Sequence, residues 1–203
     1  MSITSFINLK GGVGKSTTTV AFAEFLAGYH HRRVLVIDLD PQTNASIALV
    51  GDERWSELNR NGQTLHHVFL TPFASPPHPF GLGDIITSEA SSVLECAGRI
   101  DLLASSTNLI GQEGVVEAVA AVSHYEMESH LVLAAAFAED PGLLHRYDDV
   151  LIDCPPSLNI VTLNGLCLSD AYLIPVMAEP ISIYGIPQII ERVARLKARF
   201  GHV

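Results

Sequence analysis

Apolar residues along this chain fall into short continuous runs, separated by stretches in which they recur at helical spacing. Arg33–Asp38, "RVLVID", is an unbroken apolar run rich in β-branched residues, the pattern of a strand covered on both faces. "DVLIDCPP" (149–156) repeats it and stops at a proline turn. Ser2–Asn8, Ile100–Leu103 and Ala171–Val176 read as further strands. Between them, Ser16–Tyr29 reads as a helix that is apolar on more than one side, through Val20, Phe22, Ala23, Phe25 and Leu26. Helical stretches are also predicted at 64–70, Asn108–Val122, Glu126–Glu139, Ser157–Leu168 and Ile186–Phe200. A strand, a helix and a strand in direct succession form a βαβ unit, which requires the two strands to be parallel. The alternation predicts an α/β fold of three layers, with a mostly parallel β-sheet flanked by helices. Thr71–Asp84 holds four prolines and two glycines and reads as a loop. No charge run or repeat marks a boundary there, so residues 1–203 are read as a single domain.

Composition narrows the function classes. The chain has 203 residues, 48% of them hydrophobic and 17% charged, with a mean hydropathy of +0.29, so it can bury a sizeable core and does not resemble a disordered chain. The longest apolar run, near Leu131–Ala138, is too short to cross a bilayer. The N-terminus lacks a basic region followed by an apolar stretch, so no signal peptide is read. Cys96, Cys154 and Cys167 have no CxxC spacing, which points to a reducing cytoplasm and away from disulfides or an iron–sulfur site. The pairs His30–His31 and His66–His67 lack metal-ligand spacing and read as surface or loop histidines. A net charge of −10 is a poor footprint for general nucleic-acid binding, so such a role needs a local patch. Four of the twelve basic residues fall between Arg192 and Arg199.

The chemistry concentrates in three short motifs. "KGGVGKST" (10–17) lies between a predicted strand and a predicted helix. Glycines let backbone N–H groups converge on phosphate oxygens, and a helix N-terminus adds a favourable dipole. Lys15 is placed to bridge the β- and γ-phosphates of a nucleotide, and the Ser16 hydroxyl to ligate Mg²⁺. The usual phosphate loop carries a glycine where this chain has Leu9, and a second lysine, Lys10, follows it. "VIDLDPQ" (36–42) places Asp38 at the end of a buried strand and Asp40 just beyond it. Ligands of open α/β sheets bind outside the carboxyl ends of the strands, so both can face the loop. "LIDCPPSL" (151–158) places Asp153 at another strand end, before two prolines that stiffen the turn. A strand-end aspartate can also simply cap a turn. Cys154 has no evident histidine partner and reads as a small core residue, not a nucleophile.

The deviant loop "KGGVGKS", with "DLDPQ", "DCPPSL" and "IPVMAEPISIYGI" (174–186), resembles the ParA/MinD family of deviant Walker ATPases in motif order and spacing, from Ile3 to about Phe200. Within it, the motifs look most like small ParA proteins of chromosome or plasmid partition. The resemblance implies a P-loop NTPase fold that binds ATP and Mg²⁺ through Lys10, Gly11, Gly12, Val13, Gly14, Lys15, Ser16 and Thr17. It makes Lys10 a signature lysine that reaches the phosphates held by a second subunit, so that hydrolysis waits for an ATP-dependent homodimer. It gives Asp40 the orienting of the attacking water, places Asp38 near the metal, and has Asp153 hold Mg²⁺ through water. It implies a slow, Mg²⁺-dependent ATP hydrolase that works in the cytoplasm at the nucleoid, on nonspecific DNA, with a ParB-like partner. The alternative within the resemblance is a MinD-like positioning ATPase that acts on a membrane or a protein cargo. The family fold continues past the point where this chain stops. The further strands, adenine contacts and final helix of the family are therefore expected to be missing here, as is a long N-terminal DNA-binding extension.

"IIERVARLKARF" (189–200) is amphipathic. Ile189, Val193, Leu196 and Phe200 are expected to face the sheet, and Arg192, Arg195 and Arg199 to share the opposite side with Lys197 nearby. Such a face suits sequence-independent phosphate contacts to DNA, a use the resemblance supports. An ordinary solvated helix face and a membrane-surface helix are the other readings of the same pattern, and no stable membrane association is expected.

Overall fold

The computed structural model describes residues 1–70, 81–110, 129–178, 183 and 185–200. Six strands form one sheet: β1 (Ser2–Phe6), β2 (Val34–Asp38), β3 (Ile86–Thr87), β4 (Ile100–Leu103), β5 (Asp149–Asp153) and β6 (Ala171–Leu173). Their order is β3-β4-β2-β5-β1-β6, parallel throughout except for the antiparallel pair β3–β4. The helices are α1 (Lys15–Tyr29), α2 (Asn44–Val50), α3 (Asp52–Arg60), α4 (Leu65–Leu70), α5 (Val132–Glu139), α6 (Pro141–Leu144), α7 (Ile160–Leu168) and α8 (Ile186–Phe200).

Because successive side chains of a strand point to opposite faces, β2 divides its residues between two cores. Leu35 and Ile37 join one cluster with Ile152, Leu163 and Leu196, under α4, α5, α7 and α8. Val34 and Val36 join the other with Ala23, Ala27 and Leu49, under α1 and α2. Every residue of β2 and β5 is buried, as expected for central parallel strands. The result is the three-layer sandwich that the alternation predicts.

The differences from the sequence reading lie at element ends and in polar segments. β1 stops at Phe6 and β6 at Leu173, where the next residues leave the ladder. α7 begins at Ile160, not Ser157, because Asn159 caps it by accepting a hydrogen bond from the Thr162 amide at 3.0 Å. α2 and α3 go unread in the sequence. α3 is almost wholly polar and touches the core only through Trp55 and Leu58. α5 begins at Val132, later than the predicted Glu126. Of the prolyl loop, 82–84 opens a short 3-10 turn, Leu82–Ile85. Residues 71–80 of that loop, the 111–122 part of the helix predicted from Asn108, and 126–128, 179–182 and 184 lie outside the described residues.

Candidate active site

β1, β5 and β2 are neighbours in the sheet, and Phe6, Asp153 and Asp38 stand opposite one another at their carboxyl ends. The segments that follow these three ends each contribute to one cavity of about 620 Å³, lined by Gly11, Gly12, Gly14, Lys15, Ser16, Thr17, Asp40 and Pro156 among others.

The loop after β1 is held from its first residue. Asn8 is buried, and its side-chain oxygen accepts the Lys10 amide at 2.9 Å while its amide group donates to the Pro175 carbonyl at 2.8 Å. Gly12 and Gly14 take φ of 76° and 84°, the left-handed region where a side chain is strained. α1 then starts at Lys15 with no side chain capping its first turn and no acidic residue in it. Those first amides and the helix dipole favour an anion at this end. Lys15 is only 6% exposed, and its Nζ donates to the Lys10 carbonyl at 3.3 Å. Lys10 itself is half-buried at the loop's start, and Val13 is buried beneath the loop.

The three carboxylates differ sharply. Asp38 is fully buried and its oxygens are engaged by the protein: Oδ1 accepts the Asp40 amide at 3.0 Å, and Oδ2 accepts both the amide (2.8 Å) and the hydroxyl (2.7 Å) of Ser46. Asp40 lies beside the cavity, and its Oδ1 accepts the Gln42 amide at 3.0 Å. Asp153 is fully buried, and neither of its oxygens has a hydrogen-bond partner of normal geometry. Burial pushes both the Asp38 and Asp153 carboxyls well above the usual range. For Asp153 the neighbouring Asp38 adds to the shift, while the Ser16 hydroxyl and Lys15 oppose it.

An orphaned buried carboxylate beside the hydroxyl of Ser16, which lines the cavity, fits Mg²⁺, which takes one or two protein oxygens and completes its shell with water and substrate phosphates. Cys154 is fully enclosed and burial pushes its thiol up to about 12, so it is a core residue as expected.

The arginines of α8 are less uniform than the sequence pattern suggests. Ile189 and Leu196 are buried and Val193 packs on the same core, as expected. Arg192 flanks this stripe instead of opposing it: it is half-buried, and its Nε is enclosed with no hydrogen-bond partner. Arg195 is exposed and pairs with Glu191 at 2.5 Å one turn earlier, and Lys197 and Arg199 are exposed. One turn of helix places residue 192 only about 60° from the buried row, which a count of charges along the sequence overlooks.

Sequence reasoning also passes over Asn8, Ser46 and Ser105. Asn8 was legible as a polar residue closing an apolar strand directly before the loop. Ser46 and Ser105 carry no motif, and only the fold brings them to Asp38 and Asp40.

Comparison with known proteins agrees with this geometry. Residues 1–202 match the family model AAA_31, an AAA domain. The chromosome partitioning protein ParA of Caulobacter vibrioides is 31% identical over 97% of this chain and 64% of its own length. The structure of cobyrinic acid a,c-diamide synthase from Mycobacterium smegmatis, with bound ATP analogue and magnesium, superposes with a TM-score of 0.69 at 27% identity, over 98% of this chain and 69% of that one. A plasmid partition protein from Borrelia burgdorferi shares the fold with a TM-score of 0.72 at 23% identity, over 97% and 74% of the two chains. The chain spans less than two thirds of the length of the curated relatives it matches, 63% of an uncharacterized Pseudomonas putida protein and 64% of that ParA.

Proposed function

The chain belongs to the AAA_31 family of AAA domains, and from that premise we propose that it is a Mg²⁺-dependent ATP hydrolase of the ParA kind. It dimerises on ATP, binds DNA without sequence preference, and positions or segregates chromosome or plasmid DNA with a ParB-like partner, in the cytoplasm at the nucleoid. The observation that carries the reading is the pair of lysines in one glycine loop, with Lys15 acting on the Asp153 carboxylate and Asp38 opposite Asp153 on the neighbouring strand end.

Each residue then has a task. The open amides at the start of α1 and the Lys15 ammonium hold the β- and γ-phosphates, with Gly11, Gly12, Gly14 and Thr17 around them. Lys10 neutralises charge on the γ-phosphoryl group of the facing subunit, so chemistry waits for the dimer. With Oδ1 tied to the Gln42 amide, Asp40 keeps its other oxygen for the attacking water. Ser16 and Asp153 would hold Mg²⁺, Asp153 through water, with Asp38 behind them. When bound, the ion neutralises the phosphate oxygens and draws charge off the transferring group. Pro155 and Pro156 fix the turn after Asp153, and Pro156 borders the cavity.

The test is turnover per subunit against protein concentration. Wild type should turn over more slowly per subunit on dilution, and Lys10→Ala should bind ATP yet lose hydrolysis. A flat concentration profile with no dimer in ATP, or full turnover by the variant, excludes the dimer-dependent site.

A further inference from the structure

The peptide that carries Asp40 is pinned from behind by a closed set of buried hydrogen bonds. Ser46 Oγ donates to Asp38 Oδ2 at 2.7 Å and accepts the Ser105 amide at 2.9 Å. Ser105 Oγ donates to the Asp40 carbonyl at 2.7 Å, and the same carbonyl accepts the Thr43 amide at 2.8 Å. Asp38, Ser46 and Ser105 are each 0% exposed. The ring therefore ties the end of β2 and the first turn of α2 to the corner after β4, which is distant from both in sequence.

Two observations show that this ring holds the turn in place. Thr43 sits at φ 59°, ψ 20° and is 2% exposed. A β-branched residue in the left-handed region is strained, and strain of this kind persists only where the surroundings over-determine the backbone. The far side of the ring is anchored as well. Trp55 Nε1 donates to the Ser105 carbonyl at 3.0 Å, and Ser106 Oγ donates to Asn59 Oδ1 at 2.7 Å, so α3 fixes the corner that carries Ser105.

We infer that Ser105 is a positioning residue for hydrolysis: its hydroxyl, with Ser46 and Asp38 behind it, fixes the Asp40 peptide and so aims the carboxylate at the attacking water. The inference rests on the reading of Asp40 given above. It also gives Asp38 a different duty from metal ligation, because three protein donors already occupy its oxygens. Ser105 touches neither phosphate nor metal ligand, so its effect belongs in the chemical step and not in nucleotide affinity.

The experiment compares wild type, Ser105→Ala, Asp40→Ala and the double variant by steady-state turnover, ATP affinity and amide hydrogen exchange without nucleotide. Ser105→Ala leaves the Asp40 carbonyl its Thr43 partner, so the fold should survive. Trp55, the sole tryptophan, keeps its carbonyl acceptor and should emit unchanged. The expected result is a fall in kcat of about ten- to a hundredfold with KM and Kd for ATP within about twofold. Exchange at the Thr43 amide should quicken more than tenfold while Gly14–Thr18 stay unchanged. In the Asp40→Ala background, Ser105→Ala should have no further effect, because it acts through Asp40. Full turnover by Asp40→Ala overturns the water-orienting reading and this inference with it. Asp40→Ala inactive but Ser105→Ala fully active overturns this inference alone. Unchanged exchange at Thr43, a parallel loss of ATP affinity, or an added loss in the double variant does the same.

Discussion

Gly165→Ala places one methyl group where the fold has no room for it. Gly165 is buried in α7, and a Cβ there would lie 2.5 Å from Leu39 Cδ1, 3.2 Å from Ile152 Cγ2 and 3.7 Å from Cys154 Sγ. Carbon atoms in contact prefer about 3.5–4.0 Å, so Leu39 or α7 must retreat by roughly 1 Å. Leu39 and Ile152 are both 0% exposed, and the Ile152 methyl sits on a branched carbon with little χ1 freedom. Overpacking of this kind costs about 1–3 kcal/mol. Alanine returns about 1 kcal/mol through helix propensity. The enclosed geometry puts the balance at about 1–2 kcal/mol of lost stability, which for a domain of this size lowers Tm by about 2–8 °C. Leu39 lies between Asp38 and Asp40, and Ile152 and Cys154 flank Asp153. A shift there therefore moves the site's carboxylates and should lower turnover about tenfold or more. Denaturant unfolding and ATP turnover measure the two effects. Leu39→Ala alone should cost about 2–5 kcal/mol, but combining it with Gly165→Ala should cost less than the sum, because the methyl then fills vacated space. A Gly165→Ala protein as stable as wild type, or strict additivity with Leu39→Ala, refutes the steric argument.

Other perturbations test the site directly. Lys15→Ala should abolish ATP binding by calorimetry while Asp40→Ala retains it and accumulates ATP-bound dimer; unchanged affinity in the first removes Lys15 from the phosphates. The raised carboxyls of Asp38 and Asp153 make the nucleotide-free fold most stable below their unfolded value, near 4. That stability drains as pH climbs through the folded value, about 7 for Asp38. Asp153→Asn removes one of these charges, so its Tm should fall less than that of wild type between pH 5 and pH 8, and parallel slopes would contradict the assignment. If α8 meets DNA, Arg195→Ala with Arg199→Ala should flatten the log-affinity against log-salt slope by about two units, equally on unrelated sequences. Identical slopes would leave those arginines as solvated surface.

The parts of the fold that depend on short-range pattern were legible. Arg33–Asp38 and Asp149–Asp153 announce central strands because burial on both faces leaves no polar position in them, and the charges at their ends stand out for the same reason. The phosphate loop was legible because glycine, lysine and serine at that spacing have few other uses. α2 and α3 were not, since α2 spans two turns and α3 offers the core only two apolar side chains, Trp55 and Leu58. Asp38 was placed correctly at the strand end, but its hydrogen bonds to Ser46 depend on where α2 packs, eight residues on. Arg192 shows the limit of counting charges: its position relative to the buried row, and not its sign, decides how much of it solvent sees.

The two margins of the sheet are unlike. On one side β3 contributes only Ile86 and Thr87, antiparallel to β4, a stub too brief to template another chain. On the other, all three residues of β6 are exposed, and the strand pairs with β1 alone among the described residues. A strand laid beside β6 would extend the parallel sheet on that side, whereas β3 offers only two residues for such pairing on the other.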